Sequence, residues 1–335
     1  MSMLLPPFQL HEPRTVEEAA RIRAEFPESD FVSGGTDLLP NYKWLLNTKP
    51  HVISLHGIEA LRTLTPTKIG AGVTLTQLAN DAWMRRELPV LPHTAGLIAS
   101  PLIRNSATVG GNLLLDNRCF FYNQAHLWRE SINFCLKASG DACHVVPQKD
   151  KCYATFSADL PGPLVALDAE YELASANGTR RVKARDFYQN DGIDRHTKRP
   201  DELLAAVHLP ATAKTLRASY EKLRQRESWD FPELGMACAL RLDGGVLREF
   251  HLVANALEMA PKVLDDLGAV HIGQKLTDDV IQTIGKAVEE RVRPVKNTNL
   301  SPSYRKRMSR VFAERAIRAA RDGHVMTQRN GGPTL

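Results

Sequence analysis

Four of the five cysteines, Cys119, Cys135, Cys143 and Cys152, fall within one 34-residue stretch, while Cys238 stands alone in the apolar run Leu234 to Leu240. A free cysteine commonly behaves as a small buried hydrophobe, which is the reading for Cys238. Four clustered thiols admit more chemistry. Disulfides suit an even count, but a cytosolic setting keeps thiols reduced. Zinc takes four thiolates, yet structural zinc sites usually pair ligands roughly two to four residues apart. Here the gaps hold 15, 7 and 8 residues. An iron-sulfur cluster also takes four thiolates, and its size lets them arrive separately from an irregular loop, although the common ferredoxin spacings are absent. Lys137, Lys149 and Lys151 stand ready to offset its negative charge, and Gly140 permits a tight backbone. His144, beside Cys143, is read as hydrogen-bonded or solvated rather than as a ligand.

Two glycine pairs, Gly34-Gly35 and Gly110-Gly111, each adjoin an apolar run. Without Cβ atoms, such loops bring backbone N-H groups close to an anion, though a tight turn with positive φ uses the same residues. The P-loop pattern is missing, and Gly70-Ala-Gly72 has Leu75 where a dinucleotide fingerprint needs its third glycine. Two near-duplicate loops suggest instead a ligand whose two phosphates are held between them.

Several elements must carry these groups. Thr15-Val-Glu-Glu18 is a capping-box pattern that predicts a helix ending near Pro27, and Phe31-Val-Ser runs as a short strand into the first glycine loop. His51 to Leu55 reads as a strand, and Thr74 with Gln77 caps a helix after a strand at 68. Residues 116–157 mix aromatics, cysteines and lysines without period and read as an irregular insertion. Leu164 to Leu173 alternates like a strand, Asn177-Gly178 predicts a hairpin with Arg180 to Lys183, and 191–200 is polar loop. Strands near 219–224, 234–243 and 247–255 precede helices over 277–292 and 301–322. The last helix carries an apolar stripe of Tyr304, Met308, Val311, Phe312, Ala316 and Ala319, which predicts a docked helix with a solvated basic face.

The totals fit an ordinary globular chain of about two domains: 335 residues, 43% hydrophobic, 24% charged. No apolar run nears the roughly 18 residues of a bilayer span, so no membrane partner is expected. A net charge of +5 is too small to argue for nucleic acid. The start, Met1 to Pro7, lacks a basic segment before an apolar one, so a cytoplasmic location is expected.

Phe31-Val-Ser-Gly-Gly-Thr-Asp-Leu-Leu, Ala107-Thr-Val-Gly-Gly-Asn-Leu and Tyr220-Glu-Lys-Leu-Arg-Gln-Arg through Asp230-Phe-Pro resemble three signatures of one family. It is the FAD-binding medium subunit of the xanthine oxidase family of molybdenum hydroxylases, and the likeness runs over about residues 5 to 322. Most members pass almost directly from the second glycine loop to the Asp-Leu-Pro segment at 159. Here about 40 residues carrying the four cysteines intervene, and this insertion is similar to that of 4-hydroxybenzoyl-CoA reductase β subunits, where it binds a 4Fe-4S cluster.

The resemblance implies an α+β fold: a two-part FAD-binding domain of the vanillyl-alcohol-oxidase/CO-dehydrogenase flavoprotein type, with an iron-sulfur loop insertion, plus a C-terminal α+β domain. The implied divisions are 1–56, 57–217 with the insertion at 116–157, and 218–335. It implies that Val32, Ser33, Gly34, Gly35, Thr36, Asp37 and Leu38 wrap the FAD pyrophosphate, and that Thr108, Gly111 and Asn112 form the second loop. Asp159 holds the sugar or adenine side, Leu204 joins the FAD contacts by position, and Lys222 lies near the flavin. Cys119, Cys135, Cys143 and Cys152 are the implied cluster ligands. Implied partners are a large molybdenum-cofactor subunit, a small 2Fe-2S subunit and a ferredoxin-like donor, assembled as a dimer of heterotrimers. Electrons then run from ferredoxin through 4Fe-4S and FAD to the 2Fe-2S centres and the molybdenum site, for reductive aromatic dehydroxylation, and no catalytic residue lies on this chain beyond the cofactor relay. Two alternatives are a flavoprotein subunit that passes substrate electrons outward to an acceptor, and a zinc-stabilised scaffold without redox activity.

Overall fold

Thr15 opens helix α1 (Val16–Glu25) by accepting a hydrogen bond from Glu18 N at 3.1 Å. The Glu18 carboxylate accepts from Arg14 N rather than from Thr15, so the expected capping box closes one residue early. This computed structural model describes residues 4–326, so the first three residues of the expected N-terminal part and the last nine of the C-terminal domain lie outside the described residues. Helix α1 crosses between strands β1 (Gln9–His11) and β2 (Ser29–Val32), and helix α2 (Leu38–Lys43) leads from β2 to β3 (His51–Ser54). All pairings are parallel, in the order β1-β3-β2, as such crossovers require. Ala19 and Ala20 of α1 pack on Ile53 of this sheet.

The second sheet is antiparallel, ordered β4-β7-β5-β6, with β4 at Lys68–Gly70, β5 at Glu170–Ser175, β6 at Gly178–Lys183 and β7 at Leu203–His208. Between β4 and β5 lie the short helices α3 (Val109–Leu113), α4 (His126–Ser131) and α5 (Pro161–Ala166). The hairpin forms as expected, with Ser175 opposite Gly178. The strand expected over 164–173 does not start there. Pro161 begins α5, every residue from Pro161 to Leu167 is buried, and the strand begins at Glu170. A continuous buried run had looked like alternation.

The third sheet comprises β8 (Arg217–Leu223), β9 (Leu234–Asp243), β10 (Val246–Asn255) and β11 (Lys262–Val263), in the order β11-β10-β9-β8. Strand β9 is buried on both faces. Ala237 and Ala239 join the core of the second sheet, while Met236, Cys238 and Leu240 face helices α6 (Asp278–Arg291) and α7 (Pro302–Asp322). Cys238 is thus a core residue, as expected.

The basic face of α7 is only partly solvated. Arg305 has no exposed surface, and its guanidinium donates to the carbonyls of Glu233 (2.9 Å), Val295 (3.1 Å) and Ala256. Of the expected stripe, Phe312, Ala316 and Ala319 are buried, whereas Tyr304, Met308 and Val311 are half-buried.

The insertion is mostly irregular, as expected, with α4 its one α-helix. Its ends are joined by reciprocal backbone bonds between Arg118 and Thr155 (2.8 and 2.7 Å). Its middle is held by Arg129, which donates to the carbonyls of Trp44 (2.8 Å) and Leu45 (3.1 Å). No helix among the described residues is long and apolar enough to cross a membrane.

Candidate cofactor sites

The two glycine loops meet. A Cβ on Gly34 would lie 1.9 Å from the carbonyl oxygen of Ser106, so only glycine lets the first loop touch the backbone that leads into the second. Gly35 has φ +67°, the left-handed turn that aims the chain from β2 into α2. In the second loop Thr108 caps α3, its Oγ1 accepting from Gly111 N at 3.2 Å. Gly110 is packed against Ala71, but a Cβ on Gly111 would meet only Thr108 Oγ1, leaving its other side open.

The open side faces a groove of ≈ 910 Å³, near the top of the roughly 300–1,000 Å³ range of small-molecule sites. Val32 through Leu38, Thr108, Gly111, Asn112 and Leu204 all line it. Asn112 also anchors the following segment, its Oδ1 accepting from Leu160 N at 3.2 Å. Asp37 forms an ion pair with Arg118, tying the first loop to the start of the insertion.

Asp159 and Lys222 are brought together, but away from the groove lining. Lys222 Nζ lies 3.0 Å from Asp159 Oδ2 and donates to the Leu97 carbonyl at 3.1 Å, and Tyr220 donates to Asp159 Oδ1 at 2.8 Å. Both charged side chains are almost wholly buried. Burial pushes the Lys222 ammonium down from its ordinary range and the Tyr220 phenol well up. This pair braces the backbone just before Ile98 and Ala99, which do line the groove.

The segment read as polar loop supplies groove residues that sequence reasoning missed: Arg195, His196 and Lys198. Burial holds the His196 imidazole at about 3 and the Lys198 ammonium at about 8, with neighbouring cations adding to both effects. Arg118 Nε, Arg195 Nε and His196 Nδ1 are buried without a hydrogen-bond partner in the protein. Unpaired buried polar atoms are costly, so three of them beside two bare glycine loops fit a polar, anionic ligand such as FAD. The basic run from Arg195 to Arg199 was the available signal. At another part of the groove, Arg118 lies 4.9 Å over the Phe231 ring, and Trp229, at φ +75°, donates from its backbone N to the Ala99 carbonyl.

The insertion brings all four clustered cysteines to one small cavity, each between 5 and 8% exposed. Burial raises the Cys119 thiol to about 11 and the Cys152 thiol to about 12, and the neighbouring thiols add to both shifts. Among the described residues, no three His, Cys, Asp or Glu side chains are grouped for a single metal ion. Four thiolates on one zinc would stand about 3.8 Å apart; a cube of four irons takes thiolates set wider. The free space between these thiols is only ≈ 10 Å³, about one water, so seating a cluster requires them to spread.

Gly140 makes the close approach expected of it, since a Cβ there would lie 2.8 Å from Phe134 backbone. His144 lines the cavity, its Nε2 2.6 Å from the Phe134 carbonyl oxygen. Lys151 instead lies over the Tyr153 ring at 5.7 Å. Gly192, which sequence reasoning missed, lies where a Cβ would come within 2.6 Å of Cys152 Sγ. The cysteine cavity and the groove share one lining residue, Tyr122, which is 2% exposed.

Residues 6–212 match the family described as the FAD binding domain in molybdopterin dehydrogenase, and residues 218–320 match the CO dehydrogenase flavoprotein C-terminal domain. The chain is 32% identical over 255 residues to the aldehyde oxidoreductase FAD-binding subunit of Escherichia coli K12, covering 71% of this chain and 78% of that one. It is 26% identical over 319 residues to the carbon monoxide dehydrogenase medium chain of Afipia carboxidovorans, covering 94% and 96%. The solved CO dehydrogenase of Oligotropha carboxidovorans superposes with a TM-score of 0.77 at 24% identity, over 96% of this chain and 99% of that chain. With one family spanning the glycine loops and the other the third sheet, the chain belongs to the FAD-binding medium subunits of the xanthine oxidase family of molybdenum hydroxylases.

Proposed function

We propose that this oxidoreductase subunit carries a 4Fe-4S cluster on Cys119, Cys135, Cys143 and Cys152 beside its FAD, as in 4-hydroxybenzoyl-CoA reductase. The observation that carries this reading is the convergence of four buried cysteines, from separate parts of one insertion, on a cavity that shares a wall with the FAD groove. When bound, FAD and the cluster supply the two- and one-electron chemistry of a relay between a ferredoxin-like donor and 2Fe-2S and molybdenum partners. The residues of this chain do the holding. Val32 to Leu38 and the Thr108 to Asn112 loop cradle the FAD phosphates with backbone N-H groups, and Arg195 and His196 offer unpaired polar atoms to the same ligand. Asp159 and Lys222 act from beneath, by fixing the Leu97 carbonyl and the groove wall that follows it.

The proposed assembly is cytoplasmic, a dimer of heterotrimers with a large molybdenum-cofactor subunit and a small 2Fe-2S subunit, reducing an aromatic acyl-CoA. A second reading, outward transfer of substrate electrons to an acceptor, is favoured by the relatives' own names, which include dehydrogenases of xanthine and carbon monoxide. A zinc-bound scaffold is disfavoured by the spacing of the thiols. The test is copurification followed by assay. Ferredoxin-dependent dehydroxylation of an aromatic acyl-CoA by the copurified complex supports the proposal, and substrate oxidation coupled to NAD or another acceptor overturns it in favour of outward transfer.

A further inference from the structure

Lys137 sits between the two candidate cofactor sites. Its side chain is 4% exposed, it lines the cysteine cavity, and its ammonium lies 4.8 Å over the ring of Tyr122, the residue that the cavity shares with the groove. All three of its N-H bonds have acceptors: Asp116 Oδ1 and the Gly192 carbonyl at 2.7 Å, and the Asn117 carbonyl at 3.2 Å. It therefore has no donor left for a sulfur, and what it offers the thiolates is a fixed positive charge. Asp116 lines the groove and is also paired with Arg195, whose Nη1 lies 3.1 Å away. The order from the cysteine cavity to the groove is thus cation, anion, cation. Of the three lysines near the cysteines in sequence, Lys137 is the one that lines the cavity.

We propose that Lys137, held in place by Asp116, is a positioning residue that sets the reduction potential of the cluster through its charge. The inference rests on the cluster reading above and goes beyond it by assigning sign and source to the tuning. Adding an electron makes a thiolate-bound cluster more negative, so a buried cation beside it favours the reduced form, and the paired carboxylate opposes it.

The test is an EPR-monitored redox titration of the full chain purified anaerobically, compared with Lys137→Met, Asp116→Asn and the double variant. Lys137→Met is expected to lower the reduced-to-oxidised ratio about tenfold at a given potential, equivalent to about 59 mV for one electron. Asp116→Asn is expected to move the potential in the opposite direction, and the double variant to return toward the unsubstituted value. A role confined to packing would cost iron without producing this order of signs. If Lys137→Met holds no iron, Asp116→Asn decides, and an unmoved or lowered potential there overturns the proposal. An intact cluster in Lys137→Met with an unchanged potential also overturns it. Absence of iron and sulfide from the unsubstituted chain would instead overturn the cluster reading on which it stands.

Discussion

Gly34 and Gly111 do different work, and substitution separates them. Gly34→Ala drives a methyl into the Ser106 carbonyl, so the two loops must part, and both FAD binding and the melting temperature of the unloaded chain are expected to fall. Gly111→Ala points its methyl past Thr108 into the groove. Its unloaded stability is expected to hold, since alanine suits a helix better than glycine, while the FAD Kd rises about tenfold by fluorescence titration. Equal losses of stability in the two variants would contradict this division. Asp159→Asn should behave as a break in a buried ion pair, costing about 3 kcal/mol in urea unfolding, with Asp159→Leu/Lys222→Met losing less than the two single changes summed. Both glycine loops were legible in the sequence because bare backbone leaves a compositional mark. The Asp159–Lys222 pairing was not, since 62 residues separate partners whose meeting depends on the third sheet docking against α5. Arg195 and His196 were hidden for a related reason: a polar run reads as solvated loop until the fold buries it.

Among the elements, α7 and the insertion show how far pattern alone reaches. Helix α7 was expected over 301–322 and spans Pro302–Asp322, with Ser301 as its cap, because cap, period and length agree. What the pattern concealed is Arg305, a cation on an otherwise basic helix that crosses into the core to satisfy three carbonyls. Arg305→Met leaves those carbonyls buried without a donor and is expected to cost about 3 kcal/mol, read as a shift of the urea midpoint. An Arg305→Met variant as stable as the parent would mean that water replaces the guanidinium. The insertion was legible as irregular chain, but its attachment was not. Arg129 joins α4 to the turn after α2, a contact between segments 84 residues apart that no local pattern marks.

At the scale of the molecule, three sheets share one ligand problem: the first supplies one glycine loop, the second Leu204 and the basic run before it, and the third the buttress behind the groove. This division explains why fold class could be expected from consecutive local units, whereas groove geometry emerged only from their docking. It also gives a pH dependence. Burial, aided by Arg224, holds the His93 imidazole at about 4, and its Nε2 has no partner. Between about 6.5 and 4 the unfolded chain binds a proton that the folded chain refuses, so stability present above 6.5 is lost as pH falls through that window. Thermal unfolding of His93→Phe is expected to decline less steeply than that of the parent over the same range, and parallel curves would refute the assignment. The central claim concerns the insertion, and the most direct measurement is iron, acid-labile sulfide and FAD on one anaerobically purified sample. Binding at the four cysteines requires about four irons and four sulfides for each FAD. A full complement of FAD with zinc, or with neither iron nor sulfide, would contradict it.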